Sequence, residues 1–450
     1  MGKEGSILCE RSLLTQLQGY AEADPTFWSF REHTAKQNAT AYFQYPAMMV
    51  PQMQGKILAA LLAASPADLD LFDPFVGSGT TLVEGMKLGF RFEGHDINPL
   101  AILLCRVKIG PYDAQVIRDA SDRVIKRIDE DKKESYEIDY GNREKWYSRE
   151  ALIQLSRFRR AVMAEKELWV RRFLWVCMAE AARLASNTRT TTYKLHIRPG
   201  NEISSRESLV LGIIRACLQR NVMLYVANVE GLSKLGCLKG STYRKRAVVY
   251  VRDSRSAVLP ASCRKKVDVV VTSPPYGDNN TTVTYGQHSF LPLLWIPESD
   301  IGCDVYANYL CTTHEIDRRS LGGSLVDSTT KIETISDLSK SFKDTIAKLP
   351  EKPLDARKRL SSFYHDLNES MSVTANRLKR GGFMLWTVGN RRVGGVQVPM
   401  NKIVPELFEH HGVKLVHELG REIYTKRMAL RNRDAQTMTQ ETLLVLRKVK

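Results

Sequence analysis

The segment Asp73-Pro74-Phe75-Val76-Gly77-Ser78-Gly79-Thr80-Thr81 constrains this chain more than any other. It follows a short apolar run from Asp68 to Asp73 and precedes Leu82, Val83, Met86 and Leu88, which fall at helical spacing and stop at Gly89. A second strand, Phe90 to Gly94, then ends in His95-Asp96-Ile97-Asn98-Pro99. Strand, glycine turn, helix and strand make one βαβ unit, which commits the chain to an α/β fold with a mostly parallel sheet. Gly77 and Gly79 let the backbone turn tightly and approach a ligand, while N–H groups at the helix start favour a negatively charged group. Thr80 and Thr81 add hydroxyl donors. A lone Gly-x-Gly is also an ordinary strand-to-helix turn, but here an acid, an aromatic ring, two glycines and paired threonines coincide at one strand end. Asp96 follows at close to the ~20-residue offset at which dinucleotide folds place an acid on ribose hydroxyls. His95 beside it reads as structural.

The alternation then stops. Residues 113–245 read as helix: Gln115 to Lys132, Ser148 to Lys166, Glu167 to Leu184, and Glu207 to Val226 opened by a Ser204-x-x-Glu207 capping box. This is expected to be a helical insertion between the second and third core strands. It divides the chain into 1–112, carrying the glycine turn, 113–245, and 246–450. The β pattern resumes at Ala247 to Asp253 and at Val267 to Thr272, apolar runs of the kind buried on both sheet faces. Residues 277–350 are rich in Thr, Asn, Ser and Gly and are expected to form long loops. A helix from Pro353 to Leu378, a turn at Lys379 to Gly382, a strand from Phe383 to Val388, a helix from Asn401 to His411, and strands near Leu415–Leu419 and Glu441–Leu446 complete the reading.

The second chemical motif is Thr272-Ser273-Pro274-Pro275-Tyr276. Two prolines cannot continue a central strand, and their missing N–H groups leave a rigid rim rich in acceptors. Tyr276 at such a strand end is placed to stack on a planar ring.

Together these residues resemble the S-adenosylmethionine-dependent amino-methyltransferases that modify exocyclic amines of DNA bases: DPFVGSGTT is similar to their first motif, TSPPY to their catalytic motif. The likeness covers about residues 40–110 and 247–450 and is weaker over the insertion. It implies a Rossmann-like methyltransferase fold with S-adenosyl-L-methionine as cofactor. Tyr45 and Pro46 would then pack near the cofactor's methionine moiety. Asp73, Phe75, Gly77, Gly79, Thr80 and Thr81 would hold that moiety, Asp96 the ribose and Asp253 the adenine, although Asp253 also reads as a solvated acid opening a loop. Ser273, Pro274, Pro275 and Tyr276 would form the catalytic motif. Serine before Pro-Pro-Tyr goes mostly with N4-cytosine methylation in this family, so cytosine N4 leads, with adenine N6 in DNA or an RNA base as alternatives. A nitrogen whose lone pair is delocalised into the ring is a poor nucleophile. Ser273 Oγ and the Pro274 carbonyl could accept its two hydrogens while the site holds it in line with the methyl group.

The charge balance fits a nucleic-acid partner: 66 Lys and Arg against 50 Asp and Glu leave +16. Double-stranded DNA with its target base flipped out is the expected substrate. Basic clusters at Lys239–Arg246, Arg264–Lys266 and Arg391–Arg392 suit phosphate contacts, and residues 277–345 are the preferred target-reading segment, rivalled by the insertion. The family implies a restriction-modification or defence setting, with a cognate restriction endonuclease or defence proteins as partners. The eight cysteines are scattered without a Cys-x-x-Cys pair, so they read as reduced thiols, and no metal site is expected. The apolar stretch Leu168–Ala185 carries Arg171, Arg172, Glu180 and Arg183. It therefore reads as a core helix, with no membrane partner and a cytoplasmic location expected.

Overall fold

The computed structural model describes residues 8–24, 26–30, 38–261, 263, 266–279, 281–350, 355–423 and 440–450. Seven strands form the central sheet: β1 (Asp70–Asp73), β2 (Arg91–Asp96), β3 (Ala247–Val251), β4 (Val267–Thr272), β5 (Leu378–Val388), β6 (Val413–Glu422) and β7 (Gln440–Lys448). Their spatial order is β6-β7-β5-β4-β1-β2-β3. Ladders β3/β2, β2/β1, β1/β4 and β4/β5 are parallel, whereas β7 runs antiparallel to both β5 and β6. This is the α/β, mostly parallel sheet expected from the βαβ unit.

Alternating side chains feed two cores. Leu71, Val269, Val271, Leu385 and Val445 face one layer, packed with the helices Pro51–Ala63, Thr80–Lys87 and Pro99–Ile109 and with the helices of residues 114–234. Phe72, Val270, Met384, Trp386 and Leu444 face the other, packed with Asp355–Arg377 and Met400–His410. The β4 run is buried at every position because strands flank it and helices cover both faces. β3 differs from expectation. It forms the sheet edge, and Ala247, Val248 and Tyr250 are only partly buried.

Two of the long helices between β2 and β3 start where the sequence supplies caps. Asp113 accepts from Gln115 and Val116 N–H at the start of Ala114–Glu130, and Ser148 accepts from Ala151 N–H at the start of Arg149–Met163. The helix start expected at Ser204 is not found there. Ser204 ends a short helix, Gly200–Ser204, where its hydroxyl donates back to the Gly200 carbonyl, and the long helix Val210–Lys234 begins later without a side-chain cap. That helix is, among the described residues, the one long and apolar enough to cross a membrane. It places Ile214, Leu218, Tyr225 and Leu232 in the protein core.

Two further expectations change. Residues 277–350 carry regular helices, Tyr285–Leu293, Ser328–Leu338 and Lys340–Lys348, in place of long loops. For the first two the signals are distant or faint: Asp317, far along the chain, accepts from the Gly286 and Gln287 N–H groups, and Ser328–Leu338 buries only Ser328 and Ile335. The turn at Lys379–Gly382 is a bulge within β5, where the β4 register jumps from Val267↔Leu378 to Val269↔Phe383.

β2 lies directly beneath the glycine turn and needs a bare backbone there. A Cβ on Gly94 would come within 2.9 Å of the Phe92 ring and 3.0 Å of Val76. Gly94→Ala is expected to destabilise the fold by about 1–3 kcal/mol in urea unfolding, the usual effect of overpacking. A change below about 0.3 kcal/mol, within ordinary surface-substitution scatter, would contradict this packing.

Candidate active site

Strand order reverses between β1 and β4, and open parallel sheets bind ligands in the crevice at the carboxyl ends of such neighbouring strands. Asp73 ends β1 and Thr272 ends β4. The Thr272 hydroxyl donates to Asp73 Oδ1 at 2.6 Å, pinning the two strand ends together, and the Phe75 N–H donates to the same oxygen at 3.0 Å. Above this link lies a cleft continuous with solvent. Its walls include Tyr45 and Pro46, then Phe75, Gly77, Thr80 and Asp96, together with Asp253, Ser273 and Pro275. The two motifs, remote along the chain, therefore share one cavity.

The glycine turn is built by backbone conformation. Gly77 and Gly79 have φ of 50° and 85°, in the left-handed region, and Thr80 opens the helix Thr80–Lys87. A Cβ on Gly79 would press to 2.8 Å from Cys105 Sγ. The Gly77 N–H donates to Asp96 Oδ2 at 2.9 Å. Asp96 Oδ1 accepts from the Asn98 N–H at 2.8 Å, so backbone donors hold this carboxylate at the cleft wall. Tyr45 is fixed by Asn98, whose side-chain amide donates to the Tyr45 hydroxyl at 3.2 Å and to Ser289 Oγ at 2.7 Å.

Five of the expected residues stand outside the lining. Asp73, Gly79 and Thr81 do not line the cleft, and Asp73 Oδ2 and Thr81 Oγ1 are both buried. Pro274 is buried behind the rim. Tyr276 packs on the core that contains Trp386, with its hydroxyl 3.1 Å from Ser273 Oγ. Asp253 lines the cleft, but its carboxylate is engaged by Arg255, whose Nη2 donates to Oδ2 at 2.6 Å. His95 is buried against Glu93 at 3.3 Å and does not line the cleft. Burial pushes its imidazole down to about 4, so it is neutral near pH 7.

Asn279, Tyr285, Asn98, Arg252 and Arg319 also line the cleft and carried no individual sequence signal. Asn279 is 3% exposed, its amide donates to Asp317 Oδ1 at 2.9 Å, and its Oδ1 has no partner. Arg252 Nη1 is likewise buried and unpartnered. The basic clusters are largely engaged internally. Arg391 Nη1 donates to Thr281 Oγ1 at 3.1 Å and its Nη2 lies 3.5 Å from Asp278, Lys245 pairs with Asp68, and Lys266 donates to the Asn376 carbonyl. Arg264 and Lys265 lie outside the described residues.

Burial raises the Asp73 carboxyl to about 7 and the Asp96 carboxyl to about 6, outweighing the hydrogen bonds that favour their charged forms. The unfolded chain releases these protons near 3.8, so between roughly pH 4 and 7 the folded state binds more protons, and this contribution to stability falls as pH rises. Asp73→Asn keeps an acceptor for Thr272 and Phe75 but removes one such group. Its urea midpoint is expected to gain on the wild type from about pH 4 to 7 and to hold a constant lead above that. A difference independent of pH would contradict the burial of a charge at this strand end.

The fold and cleft define an α/β protein with a ligand site at a topological switch point. The chain is similar to Type II methyltransferase M.MvaI of Kocuria varians, 27% identical over 459 residues that span 97% of each chain. A shorter stretch is 46% identical over 48 residues to Type II methyltransferase M.MjaII of Methanocaldococcus jannaschii, covering 11% of this chain and 9% of that one. No family model matches. Among solved structures, the rRNA methyltransferase aviRa from Streptomyces viridochromogenes superposes at a TM-score of 0.33 and 12% identity, covering 93% of this chain and 96% of its own, too loosely to build on. The full-length likeness supports a methyltransferase.

Proposed function

We propose that this chain transfers a methyl group from S-adenosyl-L-methionine to an exocyclic amine of a base in double-stranded DNA, with cytosine N4 the preferred acceptor. The observation that carries the reading is that Gly77 and Ser273 line one cleft above the Asp73–Thr272 link. The residues present suit this cofactor. Asp96 offers a carboxylate to ribose hydroxyls, and Tyr45, Phe75 and Tyr285 give apolar walls, the mix of apolar lining and few polar groups usual for small-ligand sites. Arg252 Nη1 and Asn279 Oδ1, a buried donor and a buried acceptor without protein partners, match a ligand that is itself polar at several points. Asp253 would reach an adenine amine only by sharing its carboxylate with Arg255.

The bound cofactor supplies an electrophilic sulfonium methyl group. The chain's own residues do the rest. Ser273 Oγ accepts an amine hydrogen, which concentrates electron density on the nitrogen and fixes its direction of approach; Pro274, outside the cleft lining, would have to expose its carbonyl on binding to accept the second. Asn279 Oδ1, on a side chain held by Asp317, offers a further acceptor in the cleft lining. Holding two reactants in line contributes up to about 7–11 kcal/mol in ideal cases. The full-length likeness to a Type II methyltransferase favours DNA as substrate and a restriction-modification setting with a cognate nuclease, in the cytoplasm. Residues 277–345 remain the proposed target-reading segment, because Asn279 and Tyr285 bring it to the cleft.

Incubation of duplex DNA with the protein and labelled S-adenosylmethionine, followed by nucleoside mass spectrometry, tests this reading. N4-methylcytosine is the expected product. N6-methyladenine would move the acceptor to adenine, and label appearing on tRNA but not on DNA would overturn the substrate class.

A further inference from the structure

Ser273 stands at one end of a chain of polar contacts that reaches β6, the edge strand of the sheet. Its Oγ lies 3.1 Å from the Tyr276 hydroxyl, which donates to Glu441 Oε1 at 3.2 Å. The other Glu441 oxygen accepts from Arg421 Nε at 2.8 Å. Arg421 in β6 and Glu441 in β7 are cross-strand partners, and both are largely buried. Only the antiparallel return of β7 brings Glu441, far along the chain, behind the catalytic motif.

The directions of these hydrogen bonds follow from their chemistry. A carboxylate paired with a guanidinium only accepts, and a phenol has a single proton. With that proton directed to Glu441, the Tyr276 oxygen can serve Ser273 only as an acceptor. The serine proton therefore points to Tyr276, away from the cleft that Ser273 lines, and its lone pairs are left for a ligand. We propose that Glu441, Arg421 and Tyr276 are positioning residues that lock the Ser273 hydroxyl as an acceptor, the polarity that an amine N–H requires. This inference rests on the amine-methylating reading given above. An unlocked hydroxyl rotates, and whenever its proton faces the amine, donor meets donor and transfer is opposed. The same geometry explains why the Tyr276 ring stands outside the cleft lining.

The test is single-turnover transfer of labelled methyl groups to duplex DNA by the full chain, over several decades of rate. Wild type, Glu441→Gln and Tyr276→Phe are compared, and each substitution is repeated in a Ser273→Ala background. Glutamine keeps the shape of Glu441 but can turn its amide to donate. Phenylalanine keeps the ring and leaves the Arg421–Glu441 pair intact, so misfolding of one variant does not remove the other. Each single substitution is expected to lower the rate about tenfold, the scale of one lost hydrogen bond, with cofactor affinity and the KM for DNA within about twofold. In the Ser273→Ala background the same substitutions are expected to change the rate by less than about twofold, because no hydroxyl remains to be oriented. Losses that multiply in the double variants, single variants at full rate, or cofactor affinity that falls with the rate would each overturn the proposal. If the wild type itself transfers nothing to DNA amines, the reading of the site fails and takes this inference with it. A competent wild type with unimpaired variants removes the positioning role alone.

Discussion

Ser273→Ala is expected to lower single-turnover methyl transfer by about a hundredfold or more while leaving cofactor affinity within about threefold, the range seen when one preorganised polar group is lost from a reacting centre. Ser273 is the polar side chain that the strand break at Pro274 and Pro275 leaves on the cleft wall. Its removal takes away an acceptor needed as the amine nitrogen becomes tetrahedral, and an alanine methyl group offers nothing in exchange. The proposed cofactor pocket, by contrast, draws on the glycine turn, Asp96 and Tyr45, whose hydrogen bonds do not involve Ser273. Isothermal titration of the cofactor beside rapid-quench transfer separates the two effects. Parallel losses in both would show that Ser273 is part of the cofactor wall instead.

Gly77→Val is expected to act in the opposite sense, weakening cofactor binding by about a hundredfold or more. Gly77 has a φ of 50°, a conformation that disfavours any side chain by roughly 1–2 kcal/mol and a β-branched one further. Even a relaxed valine would project its methyl groups towards the Tyr45 ring, whose nearest atom lies 3.7 Å from the position of an added Cβ. If the peptide rotates to relieve the strain, the Gly77 N–H leaves Asp96 and the carboxylate loses one of the donors that orient it. Gly77→Ala bears the backbone strain without the bulk, since 3.7 Å is ordinary contact, so it should retain much more affinity than valine. Equal affinities for the two variants would mean that the turn does not face the ligand.

The sequence made the sheet and both motifs legible because their signals are local. A strand, two glycines that must adopt positive φ, a helix and a terminal acid occupy one continuous stretch, and the proline pair marks the end of a buried strand without any long-range information. What stayed hidden depends on contacts between distant residues. The helix Tyr285–Leu293 takes its N-terminal hydrogen bonds from Asp317, and Asn279 acquires a directed acceptor only once Asp317 holds its amide. Arg391 reads as a surface cation in sequence, but Asp278 and Thr281 draw it inward beside Gly277, where an added Cβ would overlap its guanidinium. Ser204 and Glu207 fit a capping pattern, yet Ser204 closes the preceding helical turn and cannot also open the next helix.

The most direct measurement is a crystal structure of the full chain with S-adenosylhomocysteine and a duplex carrying one extruded cytosine. The account predicts the ribose against Asp96, the sulfur between the Gly77 turn and Ser273, and the cytosine amine within hydrogen-bonding distance of Ser273 Oγ. A cofactor bound away from the carboxyl ends of β1 and β4, or a base amine that does not meet Ser273, would contradict it.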